Sequence, residues 1–159
     1  MMVYPHPKTL GIGECIPQFE LYDQQGVLFS TKDYMNKPLV IFFYPKDHTP
    51  GCTAQACAFR DYEKEFAATG AQVIGINSGT VKEHKTFAKK YALNYPVLSD
   101  PNHEVRKSFG SPGLFFNRVA DRVTFVTDAQ HRIVFTFKSL SKATHHVNES
   151  LNFLQNLGL

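Results

Sequence analysis

The chain has no tryptophan and only three cysteines in 159 residues. An odd, small number of cysteines cannot build a fully paired disulfide framework, and a domain of this length can hold a core without one. No two cysteines are separated by two intervening residues, which removes the usual dithiol motif of disulfide oxidoreductases and much of the case for a zinc site. Histidines four apart are missing as well, and the adjacent His145 and His146 would point about 100° apart on a helix. The net charge is only +3, and no basic run reaches five or six residues, so nucleic acid and membrane surfaces find no support as partners. No apolar run approaches the roughly 20 residues of a membrane span, and Met1 to Leu10 lacks the apolar core of a signal peptide. These absences set the expectation of a soluble, reducing, cytoplasmic setting, the alternative being an organelle whose transit peptide has been removed.

What is present is a rich supply of bulky filling: 43% hydrophobic residues, with fourteen Phe and seven Tyr. Residues 1–17 hold three prolines and two glycines and read as an extended arm. Two short apolar segments around Asp23-Gln24-Gln25-Gly26 predict a hairpin. Continuous apolar runs at Leu39 to Tyr44 and Val73 to Ile76 predict strands buried on both faces. Helical spacing covers 52–68, with Gly70 as stop. Thr80 and Glu83 form a capping-box signature before a helix over Val81 to Tyr91. A short strand at Pro96 to Leu98, a brief helix from Pro101 to about Gly110, and strands at Arg122 to Thr127 and Ile133 to Phe137 follow. A last helix is capped by Ser141, runs to about Leu157 and stops at Gly158. Strands alternating with helices imply parallel pairing, and the closing hairpin makes the sheet mixed. The expectation is one α/β domain over 1–159.

The chemistry concentrates in Phe43-Tyr44-Pro45-Lys46-Asp47-His48-Thr49-Pro50-Gly51-Cys52-Thr53-Ala54-Gln55-Ala56-Cys57. An apolar strand stops at Pro45, a turn-rich loop follows, and Cys52 falls where a helix begins. A thiol attacks only as its thiolate, and a helix N-terminus with unpaired backbone N–H groups favours that anion. Gly51 allows close backbone approach, and Pro50 stiffens the loop.

The segments Tyr44 to Asp47, Thr49 to Thr53, Gln55 to Cys57 and Phe59-Arg60-Asp61 resemble the active-site segment of the peroxiredoxins, nearest the bacterioferritin comigratory protein/PrxQ branch. His84 to Tyr91, Pro96 to Asp100 and Arg122 to Phe125 resemble that family's later segments, so the likeness covers nearly the whole chain. It implies a thioredoxin-like three-layer sandwich, with a central mixed sheet flanked by helices and an N-terminal β-hairpin. It also implies a thiol-dependent peroxidase acting on hydrogen peroxide and organic hydroperoxides, with no cofactor and no metal. By the same resemblance Cys52 is the peroxidatic cysteine and Thr49 the hydroxyl that binds peroxide. Pro45 shields the pocket, Arg122 is the cationic partner and Cys57 the resolving cysteine, with thioredoxin or glutaredoxin as reductant. Two positions depart from the pattern: Cys15, which offers another resolving thiol, and His48, where an acidic residue is often found. Arg118 competes with Arg122 for the cationic role, and Phe115-Phe116 is a candidate exposed contact for a partner. A monomer is expected.

The spacing of Cys52 and Cys57 carries a further expectation. Five residues of regular helix separate Cα atoms by about 8.7 Å. A disulfide needs less than about 7 Å, so residues 50–58 must unwind before the two sulfurs can join.

Overall fold

The computed structural model describes residues 8–110 and 122–157. Phe115, Phe116, Arg118 and Gly158, singled out above, lie outside the described residues. Seven strands form one mixed sheet: β1 (Glu20–Tyr22), β2 (Leu28–Ser30), β3 (Leu39–Phe43), β4 (Gln72–Asn77), β5 (Val97–Ser99), β6 (Val123–Thr127) and β7 (Ile133–Lys138), in the order β2-β1-β5-β4-β3-β6-β7. β3, β4 and β5 run parallel, while β6 and β7 on one side and the β1–β2 hairpin on the other add antiparallel pairs. The mixed α/β sandwich expected from the sequence is therefore present, and the hairpin belongs to the same sheet.

Five helices are described: α1 (Pro50–Asp61), α2 (Glu63–Ala68), α3 (Val81–Lys90), α4 (Glu104–Ser108) and α5 (His145–Leu157). All five residues of β3 are buried, and alternation divides them between two cores. Val40 and Phe42 face a cluster completed by Cys52, Ala56 and Phe59 of α1, Phe66 of α2, Phe87 of α3, and Val147, Leu151 and Leu154 of α5. Leu39, Ile41 and Phe43 face a second cluster, covered by Val105 of α4, Phe109, and Leu10 and Ile16 of the arm.

Several boundaries differ from the sequence expectation, and the brief helix expected from Pro101 to about Gly110 covers only Glu104–Ser108. The helix read over 52–68 begins at Pro50 and breaks at Tyr62, whose φ of −102° and ψ of 12° are not helical. Apolar periodicity runs straight through a single off-helix residue, which is why the pattern reads as one helix. The last helix begins at His145 rather than beside Ser141, because Ser139 Oγ accepts from Lys142 N at 3.2 Å and holds a turn there first. The strand expected to start at Arg122 starts at Val123. The Thr80–Glu83 capping box at α3 is present in both directions.

One glycine sets how α1 sits on the sheet. A Cβ on Gly75 of β4 would lie 2.7 Å from Phe42 Cζ. The Phe42 ring cannot retreat, because it stacks on Phe59 of α1 with centroids 4.3 Å apart. Gly75→Ala is expected to cost about 1–3 kcal/mol through overpacking, read as a lower urea midpoint with an unchanged slope.

Candidate active site

β3 delivers the chain to one end of the sheet, where Tyr44 and Pro45 lead into the loop before α1. Thr49 stands at the N-cap position with extended backbone, but its hydroxyl donates to Lys46 O at 2.8 Å instead of capping the helix. Pro50, the first helical residue, has no N–H to satisfy. The first intrahelical bond is Thr53 N to Thr49 O at 2.8 Å, so the N–H groups of Gly51 and Cys52 have no acceptor within the helix. The Cys52 side chain lies in that first turn with 1% of its surface exposed. The buried sulfur thus sits at the positive end of the helix dipole.

Arg122 reaches the same point from β6. Phe43 pairs with Val123, which puts Arg122 at the strand end beside the loop. Its Nη2 donates to Cys52 Sγ at 3.5 Å, Nη1 to Gln55 Oε1 at 2.5 Å and Nε to Leu140 O at 3.0 Å. The guanidinium is buried, and three acceptors replace the water it has lost. Gly51 makes room for it, since a Cβ there would lie 3.1 Å from Arg122 Nη2.

The loop itself is pinned from below. Asp47 is buried and accepts from Tyr44 Oη at 2.6 Å and Asn77 Nδ2 at 3.3 Å, and it pairs with His84 Nδ1 of α3 at 2.5 Å. Burial first, and the neighbouring Asp47 carboxylate second, push the Tyr44 phenol well above its ordinary value, so it remains a donor. His48 takes a left-handed φ of 62° and packs edge-on against Phe87, with centroids 5.0 Å apart. A cleft of about 350 Å³ opens beside the loop between Pro45, Asp47, Asn77 and Gly79, but Cys52, Thr49 and Arg122 do not line it.

The structure therefore brings Cys52 and Arg122 into contact and sets Thr49 and Pro45 in the loop between them and β3. Cys57 lies about one and a half turns beyond Cys52 on α1, half-buried, and all three cysteines are free thiols. Cys15 is not brought to the site. It bridges Arg132, next to the start of β7, where Ile133 pairs with Thr127 at the far end of β6 from Arg122. Five strand residues, roughly 16 Å, separate the two ends. Residues without an assigned role in the sequence have one here. Gln55, one helical turn from Cys52, fixes Arg122, and its i+3 spacing was the available signal. The Asp47–His84 pair, 37 residues apart, and His146, which bonds Thr124 Oγ1 and Ser139 O at 2.8 Å each, have no local signature.

A family model described as AhpC/TSA matches residues 12–136. This chain belongs to the AhpC/TSA family. Within it the similarity is to peroxiredoxin Q: the chloroplastic protein of Gentiana triflora is 43% identical over 90% of this chain and 66% of its own length, and that of Arabidopsis thaliana is 44% identical over the same shares. The chain spans about two thirds of the length of those relatives. Among solved structures, peroxidoxin BcpB of Mycobacterium tuberculosis superposes with a TM-score of 0.86 at 34% identity, covering 96% of this chain and 99% of that one. The bacterioferritin comigratory protein of Xanthomonas campestris gives 0.81 at 25% identity, covering 89% and 92%. The thioredoxin-like peroxiredoxin fold and a thiol peroxidase's place among the oxidoreductases go with that membership. The cytoplasmic expectation is overturned by the matched plant relatives, which are named chloroplastic. That expectation rested on the lack of a leader signal, and a lack carries no address.

Two outcomes follow for a peroxiredoxin built this way. Gln55→Leu leaves Arg122 Nη1 buried without its acceptor, and the rate of Cys52 oxidation by peroxide, followed by stopped flow, is expected to fall about tenfold. His146 is pushed down to about 4, mainly by burial of its charged form, with the Arg122 charge adding to the effect. The unfolded chain binds that proton near 6.5, so the group's stabilisation is whole above about 6.5 and is lost as pH falls towards 4, roughly 3 kcal/mol in all. Urea unfolding at pH 7 and pH 4.5 is expected to show the loss, and His146→Gln is expected to flatten it.

Proposed function

We propose that this peroxiredoxin reduces hydrogen peroxide and organic hydroperoxides through Cys52, with Cys57 as the resolving thiol. The observation that carries the proposal is the buried contact of Arg122 Nη2 with Cys52 Sγ at 3.5 Å, at a helix start whose N–H groups have no helical acceptor. The Cys52 thiolate attacks one peroxide oxygen, the O–O bond breaks, and the leaving alkoxide or hydroxide takes a proton to become alcohol or water. Arg122 supports the charge that shifts between oxygen atoms without giving up its own proton. Thr49, whose hydroxyl both donates and accepts, orients the peroxide, and Pro45 bounds the pocket. The description of the Xanthomonas campestris protein by its alkyl peroxide reduction activity supports organic hydroperoxides as substrates.

Cys52 is left as a sulfenic acid. The Cys57 thiolate then attacks Cys52 Sγ, the S–S bond forms, the S–O bond breaks, and hydroxide leaves as water. An external dithiol, thioredoxin or glutaredoxin, reduces the disulfide. Both thiols lie on one chain, so a single-domain monomer is sufficient for the cycle.

Reduced protein mixed with one equivalent of hydrogen peroxide, quenched with an alkylating agent and mapped by mass spectrometry tests the scheme. Rapid loss of two thiols as a Cys52–Cys57 bond, absent in Cys52→Ser, is the expected result. A Cys52–Cys15 bond would move the resolving role, and oxidation no faster than that of a free thiol would end the peroxidase assignment for Cys52.

A further inference from the structure

The unwinding that the disulfide demands is resisted unequally at the two ends of the segment. On its N-terminal side the loop is bound to Asp47, Tyr44 and His84, none of which α1 must displace. On the C-terminal side, three contacts hold α1 to the stretch between α3 and β5. Arg60 Nη1 donates to Tyr91 O at 2.6 Å, Asn94 Nδ2 to Arg60 O at 3.4 Å, and Tyr95 Oη to Ala56 O at 2.8 Å. Of these three only the last lies inside the stretch that must open, whose first turns Arg122 holds through Cys52 and Gln55. The Ala56 carbonyl belongs to the peptide unit that joins Ala56 to Cys57. Rotation of that unit would carry the Cys57 sulfur toward Cys52.

Tyr95 cannot follow the helix when it moves. Its own carbonyl accepts from Gln24 Nε2 at 2.9 Å, and Gln24 Oε1 accepts from Val97 N at 2.8 Å, which clasps the Tyr95 backbone to the hairpin turn. Tyr95 is 3% exposed, and its ring lies edge-on to Phe42 and Phe59, with centroids 5.8 and 6.5 Å away. Burial, and secondarily the closeness of Cys57, push the phenol well above its ordinary value, so the hydroxyl donates throughout the neutral range.

We propose that Tyr95 is a positioning residue that sets the rate of disulfide closure, its hydroxyl holding the Ala56–Cys57 peptide in helical geometry and delaying the attack of Cys57 on oxidised Cys52. The inference rests on the assignment of Cys57 as resolving thiol. The delay has a chemical consequence. While Cys52 remains a sulfenate it can attack a second peroxide: a new S–O bond forms, the O–O bond breaks, and sulfinic acid and water or alcohol result. Tyr95 thereby sets how much peroxide the enzyme withstands before inactivation.

Tyr95→Phe removes the hydroxyl and keeps the ring. Ile133→Val, in the core on the opposite face of the sheet, serves as a variant that loosens the fold without touching α1. In stopped flow with one equivalent of peroxide, Tyr95→Phe is expected to leave the Cys52 oxidation step unchanged and to speed closure about fivefold, the worth of one neutral hydrogen bond. With excess peroxide, the sulfinic fraction formed per turnover, measured by mass spectrometry, is expected to fall by the same factor, while Ile133→Val changes neither quantity. Equal closure rates in wild type and Tyr95→Phe, or the same acceleration in Ile133→Val, would overturn the inference and leave the peroxidase assignment standing. Absence of a Cys52–Cys57 bond in the oxidised wild type would overturn the resolving role of Cys57 and the inference with it.

Discussion

A guanidinium held out of water against a thiol is the contact on which the rest of this structure depends. Removing a charged group from solvent is expensive unless every lost water contact is replaced. Arg122 replaces them with Cys52 Sγ, Gln55 Oε1 and Leu140 O, which come from the first and second turns of α1 and from the segment after β7. The antiparallel pairing of β3 with β6 brings Arg122 to the strand end from which the loop departs. Gly51 leaves the space the guanidinium fills. His146 holds the neighbouring Ser139 carbonyl, so α5 also helps fix the segment that receives Arg122.

In the proposed cycle the same helix must be rigid in one step and give way in the next. Peroxide reduction needs Cys52, the backbone donors and Arg122 held in place, because positioning supplies much of the rate. The proposed Cys52–Cys57 disulfide would need the turn from 52 to 57 to open, because a regular helix holds the two residues too far apart. The structure divides these demands along α1. The loop before it is tied to a buried carboxylate–histidine pair. Its middle is packed through Ala56 and Phe59, and the peptide that must turn is held by a phenol hydroxyl. Local opening of low cost inside a well-packed domain is the usual way in which such steps are accommodated.

Much of the architecture was legible because the local signals agreed. Fully buried strands showed as apolar runs at β3 and β4, and the Thr80–Glu83 capping box marked the start of α3. The position of Cys52 at a helix start followed from Pro45, Pro50 and Gly51. The failures share a cause. The break at Tyr62 rests on one residue's dihedral angles within an unbroken apolar period. The late start of α5 rests on a turn that Ser139 holds before the helix. Neither leaves a mark in spacing.

Residue order alone already set which chemistry is available: a cysteine at a helix N-terminus, a threonine three residues before it, a second cysteine too far along the helix for an unstrained disulfide, and an arginine on a distant strand. Those properties depend on residue type and short spacing, which the chain order preserves. It took the folded chain to bring Arg122 against Cys52 and Gln55, across 70 and 67 residues. It alone put Cys15 at the opposite end of β6 and joined Asp47 to His84 beneath the loop. It alone set the hydroxyl of Tyr95 on the carbonyl of Ala56. Strand order and register choose these neighbours, and neither is written in any one stretch of residues.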